Sequence, residues 1–135
     1  MTDTPPASPL AGAAMVGFVA TTDAGRCRAF YEGQLGFRVA ADDDLALTLD
    51  AAGHPVRIQK LREHRPQTFT VLGWNVDDLD RVVAALEERG VRPRQYGFPF
   101  QDAQGIATFA DGTRLIWLHD PDDNILSVAQ MARPR

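Results

Sequence analysis

The side chains able to do chemistry in this chain are few: His54, His64 and His119, the single Cys27, an acidic run at Asp42, Asp43 and Asp44, and Arg57 set between apolar neighbours. A metal centre needs several lone-pair donors brought to one point. His54 falls in a turn after Gly53, His64 in a polar stretch and His119 at the end of a strand-like run, so no pair shows the i, i+4 spacing of a helical site. The three aspartates lack the alternating spacing and closing glutamate of a calcium loop and are expected to be solvated. Cys27 falls on the apolar face of a predicted helix, where a thiol packs as a small core residue and is no nucleophile. No Ser-His-Asp or Cys-His arrangement can be argued. These residues point to neither metal nor cofactor.

The elements that must position them are organised around a closing hairpin at 115–128, in which two apolar runs flank Asp120-Pro121-Asp122-Asp123-Asn124. Proline fixes φ there, and Asp and Asn side chains can bond back to their own backbone, which is turn chemistry. Side chains alternate along a strand, so Leu115, Trp117 and His119 share one face and Ile125, Ser127 and Ala129 another. Upstream the chain repeats itself. The apolar run 15–21 reaches Asp23, a natural N-cap, and Cys27, Phe30, Tyr31 and Leu35 follow at roughly helical spacing until Gly36. The run 69–76 reaches Asp78, and Leu79, Val82, Val83 and Leu86 follow at i, i+3, i+4 and i+7 until Gly90. Setting Asp23 against Asp78 aligns Val16 with Val71 and, after one gap, Gly36 with Gly90. Strand-like material follows each helix, at 37–41, 45–49 and 56–61, and at 95–98, 106–109, 114–119 and 125–130. The sequence thus predicts an α+β domain of two βαβββ modules. Its boundaries are a flexible Pro/Ala-rich tail at 1–14, a first module at 15–61, a linker at 62–67, a second module at 68–131 and a short tail at 132–135.

Composition excludes several classes. One chain of 135 residues can bury one ordinary core. A net charge of −4 with arginines scattered among acids gives no footprint for nucleic acid. No apolar run is long enough for a membrane span, the start lacks the pattern of a signal peptide, and a lone cysteine suits a reducing compartment, so a cytoplasmic location is expected.

Three phrases carry a resemblance. Val19-Ala20-Thr21-Thr22-Asp23 leading to Leu35-Gly36-Phe37, Trp74-Asn75-Val76-Asp77-Asp78-Leu79 leading to Gly90-Val91, and Asp120-Pro121-Asp122-Asp123-Asn124 together resemble the vicinal oxygen chelate superfamily, which includes glyoxalase I, extradiol dioxygenases and bleomycin-resistance proteins. The resemblance spans about 15–130 and departs from the family at Asp123, where glycine is usual. It implies a glyoxalase/bleomycin resistance/dioxygenase-like fold, a curved mixed sheet with a central cleft, and a homodimer. In metal-dependent members the ligands stand at positions that here hold Val16, Val71, Ser127 and Arg57, or Gln59 in place of Arg57 if the register slips by one alternation. Valine has no lone pair, serine is a poor neutral ligand and arginine brings positive charge, so the resemblance implies a lost metal site.

What remains is a lined cleft. Strand parity puts Phe18, Arg57, Gln59, Asn75, Trp117 and Ser127 on the concave face, with Ala20, Gly73 and Leu115, while Val19, Leu72, Trp74 and Val76 pack under the helices. The expected function is metal-independent binding of a small molecule in the manner of bleomycin-resistance proteins. The alternative is a glyoxalase-type lyase, isomerase or dioxygenase with an atypical or relocated metal site.

Overall fold

The computed structural model describes residues 7–133. In the first module, β1 (Gly17–Thr21) leads to α1 (Ala24–Arg28), which continues as a π-helical segment (Ala29–Gln34), and then to β2 (Arg38–Asp42), β3 (Ala46–Ala51) and β4 (His54–Lys60). The second has β5 (Thr70–Asn75), α2 (Leu79–Glu88), β6 (Ala107–Thr108), β7 (Arg114–His119) and β8 (Ile125–Gln130). Each module makes a four-stranded sheet, in the orders β1-β4-β3-β2 and β5-β8-β7-β6. The first strand of each sheet pairs parallel with the last, and the other neighbours are antiparallel. The predicted α+β duplication is therefore the architecture.

The repeat extends to the caps. Asp23 and Asp78 adopt nearly the same extended backbone, φ −142° and −138°, and each carboxylate accepts from the backbone N–H three residues on, Arg26 or Arg81, at 3.1 Å. An N-cap of this kind contributes about 1 kcal/mol. The gap in the alignment has a physical form. The first helix fits one more residue between cap and terminating glycine than the second, and it does so by widening: the Leu35 N–H reaches back five residues to the Phe30 carbonyl at 2.8 Å. Gly36 and Gly90 then end the two helices at φ 78° and 77°, a conformation that costs glycine nothing.

Val19, Leu47, Leu49, Val56 and Ile58 from the first sheet and Ile116, Leu118, Leu126 and Val128 from the second are buried against Cys27, Phe30, Tyr31, Leu79 and Val83 of the helices. Cys27 takes its predicted core place, and burial pushes its thiol up to about 12, out of reach of thiolate chemistry.

The modules meet along β1 and β5, and polar groups fasten the joint. The end of β1 lies at the β7–β8 turn, where Asp122 accepts from the Thr22 N–H at 2.8 Å, from the Thr22 hydroxyl at 2.9 Å and from the Thr21 hydroxyl. That turn opens β8, which runs parallel to β5, so β1 and β5 pass in opposite directions. Beside it the buried Asp120 carboxylate accepts four hydrogen bonds, from the Tyr31 hydroxyl at 2.7 Å, the Asn124 side chain at 2.8 Å and the Asp122 and Asn124 N–H groups at 2.9 Å. Asn124 also donates to the Ala20 carbonyl at 2.8 Å and meets His64 of the linker at 2.7 Å. Burial and the Asp120 charge hold the Tyr31 phenol far above its ordinary range, so it stays a donor.

One expected strand is absent. Residues 95–98 are irregular: Gly97 sits at φ 76°, and the Tyr96 N–H donates to the Gln101 side chain at 3.0 Å and to no neighbouring strand. The other boundaries move by a residue or two, and β6 shrinks to two residues. Of the predicted tails, residues 1–6 and 134–135 lie outside the described residues, while 7–14 form exposed turns.

Candidate functional site: an aromatic shelf on the open face

The alternation of β7 decides what this face carries. Ile116 and Leu118 go into the core, so Trp117 and His119 stand on the opposite side, with Trp117 directly across from Ser127 of β8. Ser127 in turn lies across from Gly73, where an added Cβ would come within 2.9 Å of the serine hydroxyl oxygen. Trp117 meets Tyr96 edge-on at 5.3 Å and Phe98 at 5.8 Å, Phe98 stacks on Phe100 at 5.0 Å, and Phe100 reaches Phe109 at 5.6 Å. Four of these rings are still 37–43% exposed, which leaves a continuous aromatic surface facing solvent. Phe69, Tyr96, Phe98, Trp117 and Ile125 enclose part of it as a cavity of about 250 Å³, the size for one small ring system.

An irregular loop can hold such a shelf only if its backbone groups are satisfied, and here side chains do it. The Gln101 amide donates to the Arg94 and Gly105 carbonyls at 2.9 Å, and the Asp102 carboxylate accepts from the Gln104 and Ile106 N–H groups at 2.9 Å. The Arg94 N–H fastens the loop to the Trp117 carbonyl at 2.7 Å.

The first sheet presents its own open face. Phe18 is 54% exposed and lies beside Arg57 in the parallel register, with Gln59 one step on beside Ala20. Arg57 is half-buried, and among the described residues no hydrogen bond or ion pair holds its guanidinium. Its charge is felt at Asp43, whose carboxyl is held below the usual carboxylate range by the Leu45 and Ala46 N–H groups and, more weakly, by Arg57 and Lys60. Phe18, Arg57 and Gln59 thus share one sheet, and Trp117 and Ser127 the other. Asn75 lies two residues on from Gly73 in the unbroken part of the β5–β8 register and is exposed. It borders an apolar groove of about 260 Å³ on the helix side, where Trp74 stacks on Phe37 at 5.4 Å beside Val82 and Leu86.

The positions implied for a divalent metal do not fit one. Val16 precedes β1 and is exposed, Val71 sits in an irregularity of the β5–β8 register and packs partly on the core, and Ser127 and Arg57 supply one neutral oxygen and one cation. Among the described residues no three His, Cys, Asp or Glu side chains gather into a metal-holding group. The shelf residues Tyr96, Phe98, Phe100 and Phe109 are absent from the sequence-predicted site. The signal was the alternation of Tyr96, Phe98 and Phe100, which reads as a short strand but is three rings aimed one way by a loop.

Comparison with known proteins follows the same lines. A search of the curated proteins finds no match. Among solved structures, a glyoxalase/bleomycin resistance protein/dioxygenase from Alicyclobacillus acidocaldarius is 18% identical over 90% of this chain and 93% of its own, with a TM-score of 0.69. A glyoxalase/bleomycin resistance protein from Catenulispora acidiphila is 23% identical over 87% and 97%, with a TM-score of 0.66. A bleomycin resistance determinant encoded on the transposon Tn5 is 22% identical over 86% and 95%, with a TM-score of 0.68. Likeness at such identities speaks for the fold. The family model of the glyoxalase/bleomycin resistance protein/dioxygenase superfamily matches residues 13–126, and the chain belongs to that superfamily.

Proposed function

We propose that this protein binds a small aromatic molecule on its open face without a metal, as a sequestering protein and not a metalloenzyme. The observation that supports this most is the aromatic shelf, four rings partly open to solvent, two of which, Tyr96 and Phe98, line a cavity of about 250 Å³. A core would have closed over them. Arg57 is half-buried and without a hydrogen bond or ion pair among the described residues, and in this reading it supplies a charge for an anionic or carbonyl-bearing ligand. The Tn5 neighbour, a bleomycin resistance determinant by name, is consistent with a binding role.

The direct test is a ligand screen by thermal shift on the wild type and on Arg57→Met, which keeps most of the stem and deletes the charge. Affinity for an anionic hit should fall by roughly 1.5–3 kcal/mol, the range for charged hydrogen bonds, with the fold little changed. Equal shifts in both proteins would reject the role of Arg57. Zinc, nickel and manganese should leave the melting temperature unmoved, and elemental analysis after dialysis should find well under one metal per chain. Stoichiometric metal would overturn the metal-independent reading.

The same reading includes a two-fold dimer. Phe18, Leu45, Phe69 and Met131 are more than half exposed, and a second chain is the economical cover for some of them. Sedimentation as a monomer at micromolar concentration would reject it.

A further inference from the structure

His119 stands at the end of β7, beside the aromatic cavity, with only 15% of its side chain exposed. Its Nε2 is hydrogen-bonded to the Tyr96 hydroxyl. Its Nδ1 is buried and has no hydrogen-bond partner among the described residues. The nearest acceptor is Oδ1 of Asp123 at 3.5 Å, longer than a formed hydrogen bond. If the tyrosine O–H donates to Nε2, the ring proton must be on Nδ1, a tautomer assigned here from the partners. That proton points towards a carboxylate. The order hydroxyl, imidazole, carboxylate is the one in which a base is oriented and the charge it gains is balanced.

Asp123 is otherwise hard to account for. Its backbone lies at φ 62°, where glycine rests without strain and aspartate does not. The turn is closed by Asp120 and by the Asp123 N–H bond to the Asp120 carbonyl at 2.9 Å, and the Asp123 side chain takes no part in closing it. The charged groups near that carboxylate are His119 and the Arg94 guanidinium at 4.0 Å. Its side chain is 67% exposed and can turn towards Nδ1.

We propose that Tyr96, His119 and Asp123 form a proton-accepting site in the wall of the aromatic cavity, and that its ligand class is phenols, taken up as phenolates. This rests on the binding function proposed above. Tyr96 and Trp117 line the cavity, as does Ile125, the strand partner of His119, so a ring bound there packs against Tyr96, the residue whose hydroxyl is bonded to His119. The ligand O–H gives its proton to the Tyr96 oxygen as the Tyr96 proton passes to Nε2 of His119. Two O–H bonds break, one O–H and one N–H form, and the products are a phenolate and an imidazolium with the Asp123 carboxylate behind it. Burial raises the Tyr96 hydroxyl above its ordinary range, so with a more acidic phenol the negative charge rests on the ligand and the tyrosine is a conduit. The charged and titratable groups facing His119 are Tyr96 from the loop, Asp123 from the turn and, beyond Asp123, Arg94.

The test uses two probes, 4-nitrophenol and 4-nitroanisole, which share a ring but differ in the acidic proton. Calorimetry measures both affinities at a pH where the free phenol is mostly protonated, and absorbance of the same samples reads nitrophenolate. The wild type should prefer the phenol by about tenfold, the worth of one charged hydrogen bond, and the phenolate band should grow on binding. Tyr96→Phe and His119→Gln should each lose that preference and the band while keeping their affinity for nitroanisole. Asp123→Gly should lower the preference yet leave the fold as stable as before or more so, because it relieves the left-handed residue. Equal binding of both probes to the wild type, or a preference that survives in Tyr96→Phe and His119→Gln, overturns the relay and leaves the aromatic binding site standing. No binding of either probe overturns both.

Discussion

Replacing Asp120 by alanine is expected to cost about 4 kcal/mol of stability, since it strips three buried donors and one part-buried donor of their common acceptor and each orphaned group costs about 1–3 kcal/mol before relaxation. The donors come from both modules, so the joint itself is weakened and urea unfolding should lose cooperativity as well as midpoint. Tyr31→Phe removes one of the four bonds and leaves the rest, and should cost about 1–2 kcal/mol. If the two changes cost the same, the carboxylate is not the hub of the joint. Acid should act on the same place through Asp122. Burial works against its charge, but the Thr21 hydroxyl and the Thr22 N–H and hydroxyl more than offset this and hold its pKa below the usual carboxylate value. A folded-state pKa below the unfolded one means the stabilisation is complete above the unfolded value and is lost as the pH falls through the folded one. Stability attributable to this bond should therefore be flat near neutrality and decline only in strong acid, and it should be missing from the acid limb of Asp122→Asn.

Gly105→Ala is expected to cost about 3 kcal/mol and to loosen the shelf with it. The residue sits at φ 88°, outside what alanine tolerates, and an added Cβ would lie 2.8 Å from the Pro93 Cβ, closer than two carbons approach. Neither atom can yield cheaply, because the proline ring is rigid and the Gly105 carbonyl is tied to Gln101. The strain should spread through Gln101 to Tyr96, whose N–H the same amide accepts, and binding of aromatic probes should weaken beyond the loss in stability. A variant as stable as the wild type in denaturant titration would show that the loop does not depend on this glycine.

The parts of the fold that sequence made legible are those set by local rules. Asp23 and Asp78 mark helix starts because a carboxylate one residue outside a helix satisfies N–H groups that nothing else can, and Asp120 through Asn124 mark a turn for the same reason. Strand alternation set Leu115, Trp117 and His119 on one face, and the structure buries Ile116 and Leu118 on the other. The shelf was not legible because its rings belong to a loop whose shape comes from Gln101 and Asp102, side chains that bond to backbone in ways no periodicity reports. The Tyr96–His119 pair joins residues 23 apart, and Tyr31–Asp120 joins residues 89 apart, distances at which a single sequence carries no pairing signal. Val71 went astray for a simpler reason. A slip in the β5–β8 ladder between Thr70 and Leu72 moves one residue out of alternation.

The strand order has a consequence for how the chain is made. In each module the strand that emerges last, β4 or β8, lies between the first strand and its hairpin partner, in the interior of the sheet. During synthesis β1 therefore has no ladder to join until β4 has left the ribosome, and β5 none until β8 has. Each nascent module passes through an interval in which an apolar first strand and a hairpin exist with open edges and nothing between them, the state in which chaperone capture or strand exchange between neighbouring chains competes with folding.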